Sequence, residues 1–158
     1  MRELRMVPRS ILSWDFRVFE GDRELALLDR KWIREGGTFV LDGATWRIER
    51  EGFAGRWKLL TSHGFVHASA EKPSLMWRHF EVTASGRRYT LRPARPFGRP
   101  YELLRGTRKV GELAPERPLR RTLRALVPDE IDTPGAVFLA FLVTTIWKRQ
   151  AAAAAGGG

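Results

Sequence analysis

"GAVFLAFLVTTIW", residues 135–147, is an apolar run interrupted only by two threonines, near the end of a chain otherwise rich in arginine. A segment of this kind enters a membrane or disappears into a protein core, and its length separates the two. Thr133 is expected to cap a helix with Pro134 at its first position, where a missing N–H costs nothing. Lys148 and Arg149 close the far end, where cations suit the helix dipole. A helix over 134–149 spans ~24 Å, short of the ~30 Å of hydrocarbon that takes about 20 residues to cross. It is a poor membrane span. A helix that is hydrophobic on every side is buried all round, and strands of ordinary length rise ~20 to 23 Å, so a closed sheet has the height to enclose it.

The residues before the helix supply such a sheet. "WDFRVFE" (14–20) puts Trp14, Phe16 and Val18 on one face, and "GDR" then turns the chain into "ELALLD". "TFVLDGATWRIER" (38–50), "RWKLLTSHGFVHASA" (56–70), "HFEVTASGRRYTLRP" (79–93) and "YELLRGTRKVGEL" (101–113) each read as strand, turn, strand. Their turns carry Gly21, Gly43, Gly64, Gly86 and Gly106, where a tight hairpin can require a positive φ. The result is an antiparallel meander of roughly ten or more strands with one apolar face to cover.

Length and composition fit one domain. The chain has 158 residues, 43% of them hydrophobic, which is enough for a single core. Residues 1–9 are expected to form an N-terminal arm, 10–149 the barrel with its central helix, and 150–158, "QAAAAAGGG", a low-complexity tail. The absence of cysteine excludes disulfides, thiolate nucleophiles and thiolate metal sites. "MRELRMVPRSILSWDF" has scattered charges and no apolar h-region, so it does not read as a signal peptide, and a cytoplasmic protein, peripheral to the membrane, is expected.

Motifs for chemistry are missing. His63 and His67, with His79 beyond, have a spacing that would suit a metal on a helix but fall in a hairpin around Gly64. Ser62 and Ser69 stand near histidines without a nucleophile-elbow context, and no phosphate-cradling glycine motif occurs. The six tryptophans, Trp14, Trp32, Trp46, Trp57, Trp77 and Trp147, fall on alternating strands and read as barrel core or rim rather than as base-stacking platforms. No enzyme, metal or cofactor is expected. The net charge of +10 invites an anionic partner, but the basic residues are dispersed among acids and read first as a generally basic solvated surface.

The stretch "PDEIDTPGAVFLAFLVTTIW" (128–147) resembles the C-terminal end of phospholipid scramblases and their relatives in the tubby-like superfamily. The matching residues are Pro128, Asp129, Asp132, Gly135, Ala136, Phe138, Leu139 and Phe141. The hairpins "FEVTASGRRYTLR" and "GRPYELLRGTRKVGELAP" are similar to the repeated strands of that superfamily, which includes plant LURP-one-related proteins and small bacterial members. The resemblance covers about residues 10–149. It implies a mainly β fold, a closed antiparallel barrel of about twelve strands around a buried C-terminal helix whose core is Val137, Phe138, Leu139, Phe141, Leu142 and Ile146. In that superfamily tubby proteins bind phosphoinositides through basic residues, and scramblases are associated with calcium and lipid movement.

Asp129, Glu130 and Asp132 lie where scramblases have a proposed calcium segment, but they lack the twelve-position ligand spread of an EF-type loop and read as helix-end charges. The expected partner is an anionic phospholipid surface. Its candidate contacts are Arg87, Arg88, Arg105, Arg108, Lys109, Arg120, Arg121 and Arg124, because turns and strand ends lie outside the sheet core. The alternatives are a soluble basic module for protein or nucleic acid, and a tail anchor through 135–147.

Overall fold

A computed structural model describes residues 1–31, 35–52, 55–73 and 78–156. Twelve strands form a closed antiparallel barrel in which every strand pairs with its sequence neighbours and the first pairs with the last. They are β1 (Arg2–Pro8), β2 (Phe16–Glu20), β3 (Arg23–Arg30), β4 (Gly37–Leu41), β5 (Ala44–Arg50) and β6 (Arg56–Leu60). The second half is β7 (Val66–Glu71), β8 (Phe80–Ala84), β9 (Arg87–Pro93), β10 (Tyr101–Arg105), β11 (Arg108–Pro115) and β12 (Leu123–Val127). One helix, α1 (Thr133–Gly156), follows.

The period-two alternation sets the inside of the barrel. Leu4 and Met6 of β1, Phe16 and Val18 of β2, Phe80 and Val82 of β8, and Leu123, Ala125 and Val127 of β12 are all buried, while their neighbours along each strand point outward. All five glycines expected in hairpin turns have a positive φ. Four of those turns have only two residues, and in two of them, Asp42–Gly43 and Ser85–Gly86, both residues are in the left-handed region, the conformation that matches the twist of the flanking strands.

The barrel is filled by the helix. Residues 134–147 of α1 are buried, and Ala136 through Val143 have no exposed surface. Val137, Phe138, Leu139, Phe141, Leu142 and Ile146 lie in the single core cluster with the inward strand residues. The tail-anchor alternative therefore gives way, because 135–147 are enclosed by strands. Among the described residues no helix is long and apolar enough to cross a membrane. Close approach of helix to wall needs room at Gly37, where a Cβ would lie 2.9 Å from the Asp29 carbonyl oxygen and 3.3 Å from the Phe141 ring.

Three boundaries differ from expectation. Residues 2–8, expected as an arm outside the barrel, are β1, which closes it by pairing with β12 from Arg2↔Val127 to Met6↔Leu123. The N-cap is Asp132 rather than Thr133. Its Oδ1 accepts the Gly135 N–H at 2.9 Å and its carbonyl accepts that of Ala136, which moves Pro134 one position into the helix. At the other end the helix does not stop at Arg149. It runs to Gly156, because alanine is the best helix former and five follow Gln150; these residues are exposed.

Candidate functional site

Strict up-and-down topology sorts the connections into two sets. The turns at 21–22, 42–43, 61–65, 85–86 and 106–107 and the segment 128–132 lie at the end where α1 enters. The connections 9–15, 31–36, 51–55, 72–79, 94–100 and 116–122 lie at the end where α1 leaves. The connections at the two ends differ sharply in charge. Connections at the entry end contain Asp22, Asp42, Asp129, Glu130 and Asp132 and no lysine or arginine. Among the described residues, those at the exit end contain Arg9, Lys31, Lys72, Arg78, Arg95, Arg99, Arg117, Arg120 and Arg121 against Asp15, Glu35, Glu51 and Glu116. Lys148 and Arg149 of α1 add to the positive end.

The expected arginine set is thereby split. Arg87, Arg88, Arg105, Arg108 and Lys109 flank turns of the entry end, Arg120 and Arg121 lie at the exit end, and Arg124 stands on the outer wall of β12. They do not form one surface. Several are also occupied: Arg87 and Arg105 lie 3.3 and 3.8 Å from Glu130, and Lys109 is 3.5 Å from Glu112. Arg124 is 2.9 Å from Glu3, and the hydrogen bond it donates holds the Glu3 carboxyl below its usual range.

The acidic segment is a latch. Asp129 pairs with the Met1 amino group at 3.1 Å, and Glu130 accepts the Tyr89 hydroxyl as well as Arg87. Asp132 caps the helix through one oxygen and meets His67 Nε2 at 2.6 Å through the other. His79 lies at the opposite end, 4.0 Å from Glu81, so the three histidines do not converge. Among the described residues no group of three His, Asp or Glu could hold a metal ion. Trp57 and Trp147 are buried and Trp14 and Trp46 pack against the core from its edge; Trp32 and Trp77 lie outside the described residues.

The exit end is built as a continuous rim along one arc. Because β1 pairs with β12 and β10 with β11, the loops 9–15, 116–122 and 94–100 are consecutive neighbours. Two arginines tie them together. Arg121 donates to the Ser13 and Ser10 carbonyls at 2.6 and 3.3 Å and lies over the Trp14 ring. Arg99 donates to the Arg120 and Pro118 carbonyls at 2.6 and 3.2 Å and covers Trp147, whose indole N–H bonds the Arg99 carbonyl. A cleft of about 410 Å³ between the first two loops is lined by Val7, Ile11, Leu119 and Arg120, among others. Arg9, Arg95, Arg117 and Arg120 are exposed on these loops and have no carboxylate partner among the described residues.

On the other side of the exit end Glu35 clasps the helix. Arg50 Nη1 and Arg149 Nε each donate to it at 2.5 Å, and its carbonyl accepts the Trp57 indole N–H at 3.1 Å. Burial pushes the Glu35 carboxyl up, but the hydrogen bond and charge of Arg149 and the charges of Arg50 and Arg30 outweigh it and bring the net shift below the usual range. A carboxyl depressed in the folded state adds stability above its unfolded pKa and loses it as pH falls through the folded value. Wild type should therefore exceed Glu35→Gln in stability by ~1 kcal/mol at pH 7, given the partial exposure. The difference should shrink below about pH 4. Thermal unfolding of both proteins across that range checks it, and a gap that stays constant with pH refutes the assignment.

Sequence reading missed Arg9, Arg95, Arg99 and Arg117. The signal was present in "PRSILS", "RPFGRP" and "ERPLRR", where one or two apolar residues stand among proline, arginine and other polar or turn-forming residues, out of step with any alternation. Comparison with protein-family models, curated proteins and solved structures gives no match. The fold defines the chain as a twelve-stranded antiparallel barrel around a C-terminal helix.

Proposed function

We propose that this protein is a non-enzymatic barrel module that associates reversibly with anionic phospholipid surfaces through its helix-exit end. The observation that carries this reading is the segregation of charge. Among the described residues every connection-borne cation lies at the exit end, and Arg9, Arg95, Arg117 and Arg120 on its rim are exposed and have no carboxylate partner there. Each arginine near an anionic leaflet contributes ~1 kcal/mol, so Arg9, Arg95, Arg117 and Arg120 suffice for binding without an inserted helix. The twelve-stranded barrel with a central C-terminal helix is also what the resemblance to the tubby-like superfamily implies, and we propose membership on that ground.

Vesicle sedimentation tests the reading. Phosphatidylcholine vesicles containing phosphatidylserine should retain the protein at low salt and release it near ~0.5 M, where screening falls to a few ångströms, while neutral vesicles should not retain it. Reversing Arg95, Arg117 and Arg120 to Glu should weaken retention by about two orders of magnitude or more. Reversing Arg88 and Arg108 at the other end should leave it within about threefold. Equal sedimentation with neutral and anionic vesicles would sink the proposal, and salt-steep binding to DNA instead would favour a nucleic-acid partner.

A further inference from the structure

We infer that the rim formed by loops 9–15, 94–100 and 116–122 inserts the side chains of Ile11, Leu12, Phe97 and Leu119 below the headgroups of an anionic bilayer, so that the barrel stands on its helix-exit end. This rests on the membrane reading but on a different observation, the exposure of large apolar side chains at the loop tips. Ile11, Leu12 and Phe97 are each 90% exposed and Leu119 is 99% exposed. Scattered exposed hydrophobics are ordinary, but these four occupy three consecutive loops of one rim.

Leu119 carries a second mark. Its φ of 63° lies in the left-handed region, which a bulky side chain occupies only under strain. The strain is not relieved by burial; it holds a leucine outward at the tip of a loop whose backbone is fixed by Arg120 N–H to the Pro118 carbonyl and Glu116 N–H to the Thr122 carbonyl. A strained backbone that displays an apolar group to solvent is a reason to look for what receives that group.

The arrangement favours a bilayer over a protein partner. A protein interface would need a hole to match each tip, together with carboxylates for the interleaved Arg9, Arg95, Arg117 and Arg120. A lipid surface meets both needs at once, because the tips enter the acyl boundary while each guanidinium stays at phosphate level on its aliphatic stem. The other end supplies a natural control. Phe65 is 71% exposed there, but the connections around it hold acids and no lysine or arginine.

The chain contains no cysteine, so Leu119→Cys, Phe97→Cys and Phe65→Cys each give a unique attachment point for an environment-sensitive fluorophore on the full-length protein. With phosphatidylserine-containing vesicles, labels at 119 and 97 should shift to the blue and be quenched by lipids brominated near the headgroup, and the label at 65 should do neither. Leu119→Gln should weaken vesicle partition about tenfold while circular dichroism stays unchanged. Sedimentation without a shift at either tip overturns insertion and leaves the electrostatic reading standing, whereas failure to sediment removes both. A shift at 65 alone reverses the orientation and overturns the inference. So does a concentration-dependent shift at 119 without lipid, which would assign the tips to a second copy of the chain.

Discussion

Phe138→Ala should lower the unfolding free energy by ~3 to 5 kcal/mol, as truncation of a large buried aromatic does. Phe138 has no exposed surface and sits inside the buried stretch of α1, within the core cluster that the strands and helix form together. The ring cannot be replaced by collapse of the surroundings, because the barrel is closed by hydrogen bonds around its whole circumference. A domain of this size has ~5 to 15 kcal/mol in hand, so the loss is a large share of the total. Urea titration followed by the fluorescence of the buried Trp57 and Trp147 should show a lower midpoint with an unchanged slope. Ala153→Gly is the counterpart on the same helix, at an exposed position beyond the barrel, and should cost no more than ~1 kcal/mol. A loss under about 1 kcal/mol for Phe138→Ala would mean that the helix does not need its enclosure.

The enclosure was legible because two local signals agreed. The run at 135–147 is too short to span a bilayer and too apolar for a surface, and the hairpins marked by glycine turns supply a cover for it. Residue pattern alone yields ten strands in five hairpins, and the two further strands, which the resemblance implied, are β1 and β12. Those two pair with each other across almost the full chain. A hairpin announces itself through its turn, whereas a closing pair has no turn, so "RELRMVP" and "LRALV" read as an arm and a basic approach to the helix. The cap was misplaced for a related reason: Thr133 and Asp132 both suit the position, and the choice depends on His67, which is distant in sequence.

The functional rim was less legible. Up-and-down topology places alternate connections at opposite ends, so residues that look like one dispersed basic population separate only when strand number and order are known. Arg87 and Arg105 flank turns, as a surface contact should, yet both are committed to Glu130, while Arg95 and Arg117 lie in proline-rich loops and have no such partner among the described residues. Distance along the chain could not show which carboxylates neutralise which cations.

Arg30 gives the second large effect, and the ordering of two substitutions tests its cause. It ends β3, is only 8% exposed, and points into the barrel against the last buried turns of α1. Its guanidinium donates to the Phe141 carbonyl at 3.0 Å, the Thr145 hydroxyl at 2.8 Å, the Thr144 hydroxyl, and the Trp14 carbonyl at 3.1 Å. It also lies 4.2 Å from the centre of the Phe141 ring. Burial pulls its pKa down to about 9 against the fields of Glu35 and Asp15, so it remains charged at pH 7. Asp15 accepts the Arg30 backbone N–H at 2.8 Å, but among the described residues no carboxylate bonds the guanidinium, and the planar fork is what satisfies its charge. Arg30→Lys keeps the charge but cannot reach those acceptors on separate sides, and should cost ~3 kcal/mol through buried donors left unmet. Arg30→Met removes the charge, fills most of the space, and leaves threonine hydroxyls that already bond the carbonyls of Ala140 and Phe141, so it should cost less than ~1.5 kcal/mol. Denaturation of the two variants decides the point: if methionine proves worse than lysine, the charge itself holds the helix in the barrel and the geometric account fails.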